Sequence, residues 1–291
     1  MRLIQHAKTM RAWSREARKE GLHVALVPTM GGLHRGHLSL VDIARRHADR
    51  VVASVFVNPT QFDRADDFAR YPRDLAGDQR QLSEAGVDAL FAPDADEMYP
   101  AGAATVVTVE RLGDPLCGAH RPGHFQGVAT IVLKLFTIVE PQVAVFGEKD
   151  YQQLAIIRRM VRDLCLDVDV VGAPIVREDD GLALSSRNVH LDTRERAAAR
   201  CLARGLAAAD AAVAAGERDG AALEAAARAA IAGEPLARLE YATLADAETL
   251  APLARLAGHG VLALAVWIGT TRLIDNRVLT VPAVGVERRS A

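Results

Sequence analysis

From the N-terminus to about residue 176, short runs of consecutive apolar residues alternate with longer stretches in which apolar and polar positions mix. Short continuous apolar runs suit strands buried on both faces, as parallel strands are, whereas apolar residues three or four positions apart suit helices that bury one side. The pattern predicts strands at 24–27, 51–57, 89–92, 143–146 and 168–171, and helices at 38–47, 74–85, 130–139 and 152–163. Strand and helix alternating in this way describe a doubly wound α/β sheet, whose ligands lie outside the carboxyl ends of the strands.

After about residue 191 the text changes to Ala-rich stretches such as 197–199 and 221–232, broken by Gly216, Gly220 and Gly233. Leu, Ile and Arg interrupt the alanines at helical spacing, so folded helices are expected, two or three in number. Apolar runs at 239–244 and 261–268 then read as strands. The expected organisation is a Rossmann-like α/β domain over residues 1–175 and a smaller α+β domain over 176–291 acting as a lid, with a loose tail after Val286.

Composition narrows the class of partner. The 291 residues carry 35 basic and 37 acidic side chains, for a formal net charge of −2. Gripping a nucleic-acid backbone needs a clustered basic face, so no long DNA or RNA partner is expected. The longest clean apolar run, 261–268, is far shorter than the roughly 20 residues of a membrane-spanning helix. The first residues run straight into the charged stretch 11–20 and lack the apolar core of a signal peptide, so the expected location is cytoplasmic, away from membranes. Cys117, Cys165 and Cys201 are odd in number and far apart, and are read as small reduced fillers.

Four polar clusters fall at predicted strand ends. The first, Pro28 to His37, joins a strand to a helix through Gly31, Gly32 and Gly36, and glycines let a ligand approach the backbone. Free N–H groups at a helix N-terminus favour an anion such as phosphate, and the imidazoles of His34 and His37 share one face of the first turn, where they can donate hydrogen bonds. The second cluster is Asn58-Pro59-Thr60-Gln61-Phe62, in which Gln61 offers both a donor and an acceptor. A third strand end runs Gly147-Glu148-Lys149-Asp150 into a helix carrying Gln153 one turn on. The fourth, after Val176, is Leu184-Ser185-Ser186-Arg187-Asn188, with two hydroxyls and a guanidinium together, a set that suits a polyphosphate.

Each cluster alone has an ordinary alternative. Ser and Asn cap helices, 147–150 suits a surface turn, and Gln61 suits a loop. His34 and His37, with His120 and His124, also permit a zinc reading, although the Glu and the spacing of an H-E-x-x-H site are missing. Convergence on one sheet edge favours a single ligand crevice.

Taken in order, Pro28 to His37, Phe56 to Phe62, Tyr71-Pro72-Arg73, Glu97-Met98-Tyr99-Pro100, Arg121-Pro122-Gly123-His124-Phe125, Phe146 to Gln153, Ser185 to Asn188 and Thr271 to Asn276 resemble the pantothenate synthetase, or pantoate–beta-alanine ligase, family. The resemblance runs from about residue 3 to 278. His34-Arg35-Gly36-His37 is similar to the H-x-G-H signature of the wider nucleotidyltransferase superfamily.

The resemblance implies an ATP-dependent ligation in two steps. The carboxylate of (R)-pantoate attacks the α-phosphorus of ATP, pyrophosphate leaves, and the amine of β-alanine then displaces AMP from pantoyl adenylate. It further implies ATP contacts from Met30, Gly31, Gly32, Leu33, His34, Arg35, Gly36 and His37, from Gly147, Glu148, Lys149 and Asp150, and from Val176, Leu184, Ser185, Ser186 and Arg187. His37 falls on the family's proton-donor position, with His34, Lys149, Ser185, Ser186 and Arg187 beside it on the phosphates. Gln61 and Gln153 match pantoate-binding glutamines, Gln61 lies near the β-alanine site, and Asn58 and Arg121 are accessory substrate contacts. Mg2+ on the phosphates is implied, with Asp78 as its candidate protein ligand or else a residue of a solvated helix face. A homodimer formed through the N-terminal domain is implied as well.

Arg35 stands where relatives are often acidic, Gly32 where Ala is common, Gly77 at a position acidic in some relatives, and Leu184 in place of a frequent Met. Two competing functions remain: a related nucleotidyltransferase with another acceptor, and a non-catalytic nucleotide-binding module.

Overall fold

A computed structural model describes residues 1–281, so the expectation for the tail after Val286 lies outside the described residues. The chain divides into two compact units, one formed by Met1–Arg177 with Leu184–Ser186, the other by Glu178–Ala183 with the chain from Arg187 onward.

In the first unit the strands are β1 (Arg2–Ile4), β2 (Val24–Thr29), β3 (Arg50–Val55), β4 (Ala89–Phe91), β5 (Val143–Gly147) and β6 (Asp169–Ala173). The helices are α1 (Ala7–Lys19), α2 (Arg35–His47), α3 (Ala65–Arg70), α4 (Leu75–Glu84), α5 (Ala95–Met98), α6 (Cys117–His120), α7 (His124–Val139) and α8 (Tyr151–Asp163). All neighbouring strands pair in parallel, in the order β1-β4-β3-β2-β5-β6. The chain therefore builds outward from β2 through β3 and β4, then crosses back to lay β5 and β6 on the other side. The order reverses between β2 and β5, the switch point at which open α/β sheets bind ligands beyond the carboxyl ends of their strands.

Parallel strands covered on both faces explain the continuous apolar runs. Ala25 and Val27 of β2 pack with Leu40, Val41 and Ala44 of α2 and Leu82 of α4. Val24 and Leu26 point the opposite way by strand alternation and are fully buried. Helices α1 and α7 touch β2, and α7 packs against both α1 and α8.

The second unit has the strands β7 (Ala237–Asp246), β8 (His259–Ile268) and β9 (Thr271–Thr280), antiparallel in sequence order, and the helices α9 (Thr193–Ala198), α10 (Cys201–Ala214) and α11 (Gly220–Ala232). Its core joins Leu202 and Leu206 of α10, Leu223 and Ile231 of α11, and Leu244, Leu262, Leu264 and Val266 of the sheet. Gly269, at φ 55°, allows the two-residue turn between β8 and β9.

Several elements differ from the sequence reading. Helix α1 buries only Met10, Ser14 and Ala17, so its charged remainder hides the apolar stripe. Helix α7 begins at His124 rather than at residue 130; Gln126 and Gly127 interrupt the apolar pattern of its first turns. Strand β9 contains the buried polar residues Asp275 and Asn276, which break its apolar pattern. Cys117 and Cys201 are buried thiols outside any disulfide, as expected, but Cys165 is exposed, in a left-handed position just past α8 at φ 51°, and fills no core space. No helix among the described residues is long and apolar enough to cross a membrane.

Candidate active site

At the carboxyl end of β2 the two histidines cap α2 reciprocally. His34 is the N-cap, and its Nδ1 accepts the backbone N–H of Gly36 at 3.1 Å, while Nδ1 of His37 accepts the backbone N–H of His34 at 3.3 Å. This is the reciprocal arrangement that Ser and Glu usually supply at a helix start. It also fixes the tautomers: each Nδ1 holds a lone pair, so each neutral ring carries its proton on Nε2. Burial pushes His34 down to about 4, with the Lys149 charge adding to the shift. His37 falls to about 3, again through burial first and then the neighbouring His34. The rings stack with centroids 4.1 Å apart. A Cβ on Gly36 would lie 2.9 Å from both Cε1 and Nδ1 of His34, so the glycine of the motif makes room for that ring.

The sequence suggested that free helix N–H groups would meet the anion. In the structure the N–H groups of Gly36 and His34 end on imidazoles, and those of His37 and Leu38 on the His34 carbonyl. Each ring then keeps an Nε2–H donor, polarised by a backbone N–H on its other nitrogen.

The glycine loop before the cap is held from below. Gly31 and Gly32 adopt φ 85° and 63°, which turns successive N–H groups inward as an anion-binding nest. The protein fills that nest itself: Asp78, on the first turn of α4, accepts from Gly32 N at 3.1 Å and Leu33 N at 2.9 Å. Asp78 is 3% exposed, which corrects the reading of a solvated helix face, and burial raises its carboxyl above the usual range. A Cβ on Gly31 would stand 2.7 Å from the Asp78 carboxylate. Gly77, one residue earlier, accepts no side chain without disturbing Asp74, the N-cap of α4, whose carboxylate takes the Gly77 N–H at 2.9 Å.

Beyond β3, a single 3-10 turn, Pro59–Gln61, presents Gln61. Its Nε2 lies 3.2 Å from Sδ of Met30, the residue that follows β2. Its Oε1 accepts from Asn58 Nδ2 at 2.9 Å, and the same Nδ2 donates to the Gly127 carbonyl at 3.2 Å. Asn58 Oδ1 accepts the hydroxyls of Tyr99 at 2.8 Å and Thr60 at 3.0 Å. Asn58 is 1% exposed, and both ends of its amide are bonded within the protein.

The Gln61 main chain is gripped as well. His124 Nδ1 donates to the Gln61 carbonyl at 2.7 Å, Arg121 Nη2 donates to the same oxygen at 3.2 Å, and Arg121 Nη1 donates to His124 Nε2 at 3.2 Å. Arg121 also pairs with Asp63 at 2.8 Å, and the guanidinium holds the Asp63 carboxyl below its usual range despite burial. Burial and the adjacent guanidinium keep His124 neutral, at about 4. Sequence reasoning had no role for Tyr99 or Thr60, and considered His124 only as a zinc ligand. With both ring nitrogens of His124 and the Nδ1 atoms of His34 and His37 engaged, zinc has no support, and no cluster of three or more His, Cys, Asp or Glu suited to a metal occurs among the described residues.

The turn Glu148–Asp150 leads from β5 into α8. Lys149 lies 3.8 Å from Asp150, and their charges act on His37 in opposite directions, which places both groups near the imidazole pair. A Cβ on Gly147 would meet nothing within 4 Å. On α8 the adjacent glutamines divide. Gln152 is buried and ties down the preceding loop through Leu112 O, Pro115 O and Cys117 N, whereas half-buried Gln153 has no hydrogen-bond partner among the described residues.

The segment Leu184–Ser186 belongs to the first unit, where Leu184 N donates to Val176 O at 3.0 Å. It lies against the histidine loop: the Ser186 Cβ is 3.7 Å from the Cβ position of Gly32, and the Leu184 Cβ is 3.6 Å from that of Gly36. Ser185 is half-buried beside them, Arg187 belongs to the second unit, and Arg35 points outward on α2 and is exposed. The structure thus gathers neutral imidazole donors, an ammonium, serine hydroxyls and an oriented amide around the ends of β2, β3 and β5.

Comparison with known proteins gives a family and near relatives. A family described as Pantoate-beta-alanine ligase matches residues 2–278. A pantothenate synthetase of Heliobacterium modesticaldum is 57% identical over 281 residues, covering 97% of this chain and 100% of the relative. The crystal structure of pantothenate synthetase from Thermus thermophilus superposes with a TM-score of 0.89 at 50% identity, over 95% of this chain and 99% of that one. The ligase from Francisella tularensis, complexed with beta-gamma ATP and beta-alanine, gives a TM-score of 0.79 at 33% identity, over 96% and 97% of the two chains.

Proposed function

The chain belongs to the pantoate–beta-alanine ligase family, and we propose that its two neutral imidazoles, His34 and His37, carry the first half of the reaction. The enzyme is an ATP-dependent ligase that condenses pantoate with β-alanine to form pantothenate. The observation that carries the residue assignment is the reciprocal histidine cap, which turns two Nε2–H donors out at the switch point of the sheet.

The carboxylate of (R)-pantoate attacks the α-phosphorus, the bond to pyrophosphate breaks, and pantoyl adenylate forms. Two anions must meet for this, so donors and positive charge matter more than a base. His34 and His37 donate to phosphate oxygens, and Lys149, Ser185, Ser186 and Arg187 take the charge of the departing pyrophosphate. His37 works here as a hydrogen-bond donor, since its ring is neutral at physiological pH. The amide edges of Gln61 and Gln153 orient pantoate. Met30 to His37, Gly147 to Asp150, Val176 and Leu184 line the nucleotide, and Gly147 leaves room for it. The amine of β-alanine then attacks the acyl carbon, and the acyl–oxygen bond to AMP breaks.

Mg2+ fits this scheme as an ion held by phosphate oxygens and water, since it keeps most of its hydration shell and needs few protein ligands. The carboxylate of Asp78 is turned into the glycine loop, which supports a loop-holding role in preference to metal binding. A homodimer through the first unit belongs to the same proposal, as does a cytoplasmic location, which the lack of disulfides among Cys117, Cys165 and Cys201 supports.

The test is pyrophosphate release from ATP and Mg2+. It is expected to require (R)-pantoate, and pantothenate and AMP are expected only when β-alanine is added. Pyrophosphate release with another acceptor and none with pantoate would overturn the assignment.

A further inference from the structure

A glutamine side chain can present either a donor or an acceptor to its ligand, depending on a half-turn of its amide. At Gln61 the choice follows from the surrounding bonds. The Gly127 carbonyl can only accept, so the Asn58 atom 3.2 Å from it is the donor Nδ2. That Nδ2 also meets Gln61 at 2.9 Å, so the Gln61 atom there is the acceptor Oε1. Nε2 of Gln61 is left turned toward Met30, where one proton rests on a thioether sulfur, a weak acceptor that a carboxylate or hydroxyl oxygen readily replaces.

The other end of Asn58 completes the lock. Its Oδ1 has two lone pairs, and the hydroxyls of Tyr99 and Thr60 fill them at 2.8 and 3.0 Å. A flipped Asn58 would set its oxygen against the Gly127 carbonyl, which can only accept, and would take away the oxygen that both hydroxyls now donate to. Tyr99 is itself fixed by packing, with the Phe56 ring 6.3 Å away and the Lys134 ammonium 4.8 Å over its face. The turn that carries Gln61 has no freedom to adjust, because helix α7 approaches so closely that a Cβ on Gly127 would lie 2.5 Å from the Thr60 carbonyl oxygen.

We propose that Tyr99 is a positioning residue which, through Asn58, holds the amide of Gln61 with its donor edge toward the end of β2, and so sets this subsite to recognise an oxygen acceptor on the substrate. The inference rests on the reading of Gln61 as a pantoate ligand. The Tyr99 hydroxyl meets Asn58 and Thr60, and it works by helping to settle which way two amides face.

The informative variant is Tyr99→Phe, which keeps the ring contacts with Phe56 and Lys134 and removes only the hydroxyl. The KM for pantoate is expected to rise about fivefold, the effect of one hydrogen bond, while the KM for ATP stays unchanged. In a Gln61→Ala background the same substitution is expected to change nothing further, because its route to the substrate is gone. In the ligand-free protein, the cross-relaxation between the Gln61 side-chain NH2 and the Met30 methyl group is expected to weaken in Tyr99→Phe. Equal effects of Tyr99→Phe in both backgrounds, a parallel rise in the KM for ATP, or an unchanged Gln61–Met30 contact would overturn the proposal. The magnetic-resonance arm needs no turnover. A wild-type enzyme inert toward pantoate but showing the predicted weakening in the variant would therefore refute the substrate reading and leave the amide lock standing.

Discussion

The carboxylate of Asp78 meets the backbone N–H of Leu33 at 2.9 Å, and with the N–H of Gly32 this bond closes the glycine loop onto helix α4. His34 follows directly in the chain, so the position of the histidine cap is inherited from a buried acid.

Asp78→Asn replaces one accepting oxygen with an NH2 group facing a backbone donor. Stability is expected to fall by about 1–3 kcal/mol in urea unfolding, the usual consequence of a buried unsatisfied pair. The Mg2+ concentration for half-maximal activity is expected to stay constant. A raised Mg2+ requirement with unchanged stability would make Asp78 a metal ligand instead.

Gly36→Ala places a methyl group 2.9 Å from the His34 ring, which must swing aside. The fold is expected to persist, with an unchanged circular dichroism spectrum, while pyrophosphate release falls about a hundredfold, as displacements near 1 Å can cause. Full activity in this variant would show that the reciprocal cap is dispensable.

The pH dependence has a definite sign. His34 and His37 drop from the ordinary 6.5 to about 4 and about 3 in the folded state, mainly through burial. Between those values the unfolded chain binds more protons than the folded one, so stability is complete above about 6.5 and is lost as pH falls through the folded values. Proton-detected titration of the imidazoles is expected to show both rings neutral, with hydrogen on Nε2, at pH 5.5. Charged rings at that pH would contradict the assigned tautomers.

Gly127→Ala would drive a methyl group against the Thr60 carbonyl, a backbone group that cannot step aside. A loss of about 1–3 kcal/mol is expected from such overpacking, together with a raised KM for pantoate, because the turn carrying Gln61 must move. Urea unfolding alongside steady-state kinetics measures both effects.

The strands that position the site were legible because parallel pairing leaves them apolar on both faces: β2 and β5 carry the apolar runs 24–27 and 143–146, and Ser54 alone interrupts the run 51–57 of β3. Strand β1 was not, since three residues with only Ile4 buried carry no pattern. Chemistry at strand ends was legible as residue types, such as His34 and Gln61, but their partners were not. Asp78 sits on a charged helix and looks solvated until α4 is folded beneath the glycine loop. Gln152 and Gln153 are indistinguishable in sequence, and only their different burial and partners on α8 separate the structural residue from the candidate ligand. Asn58 and Tyr99 are 41 residues apart, and nothing local to either announces the bond between them.

A single-turnover experiment with ATP, Mg2+ and (R)-pantoate, without β-alanine, tests the central claim most directly. The wild-type enzyme is expected to release one equivalent of pyrophosphate and retain pantoyl adenylate detectable by mass, whereas folded His37→Ala is expected to do neither at a comparable rate. An unchanged burst in that variant, or ADP and phosphate as the products of the wild type, would contradict the account.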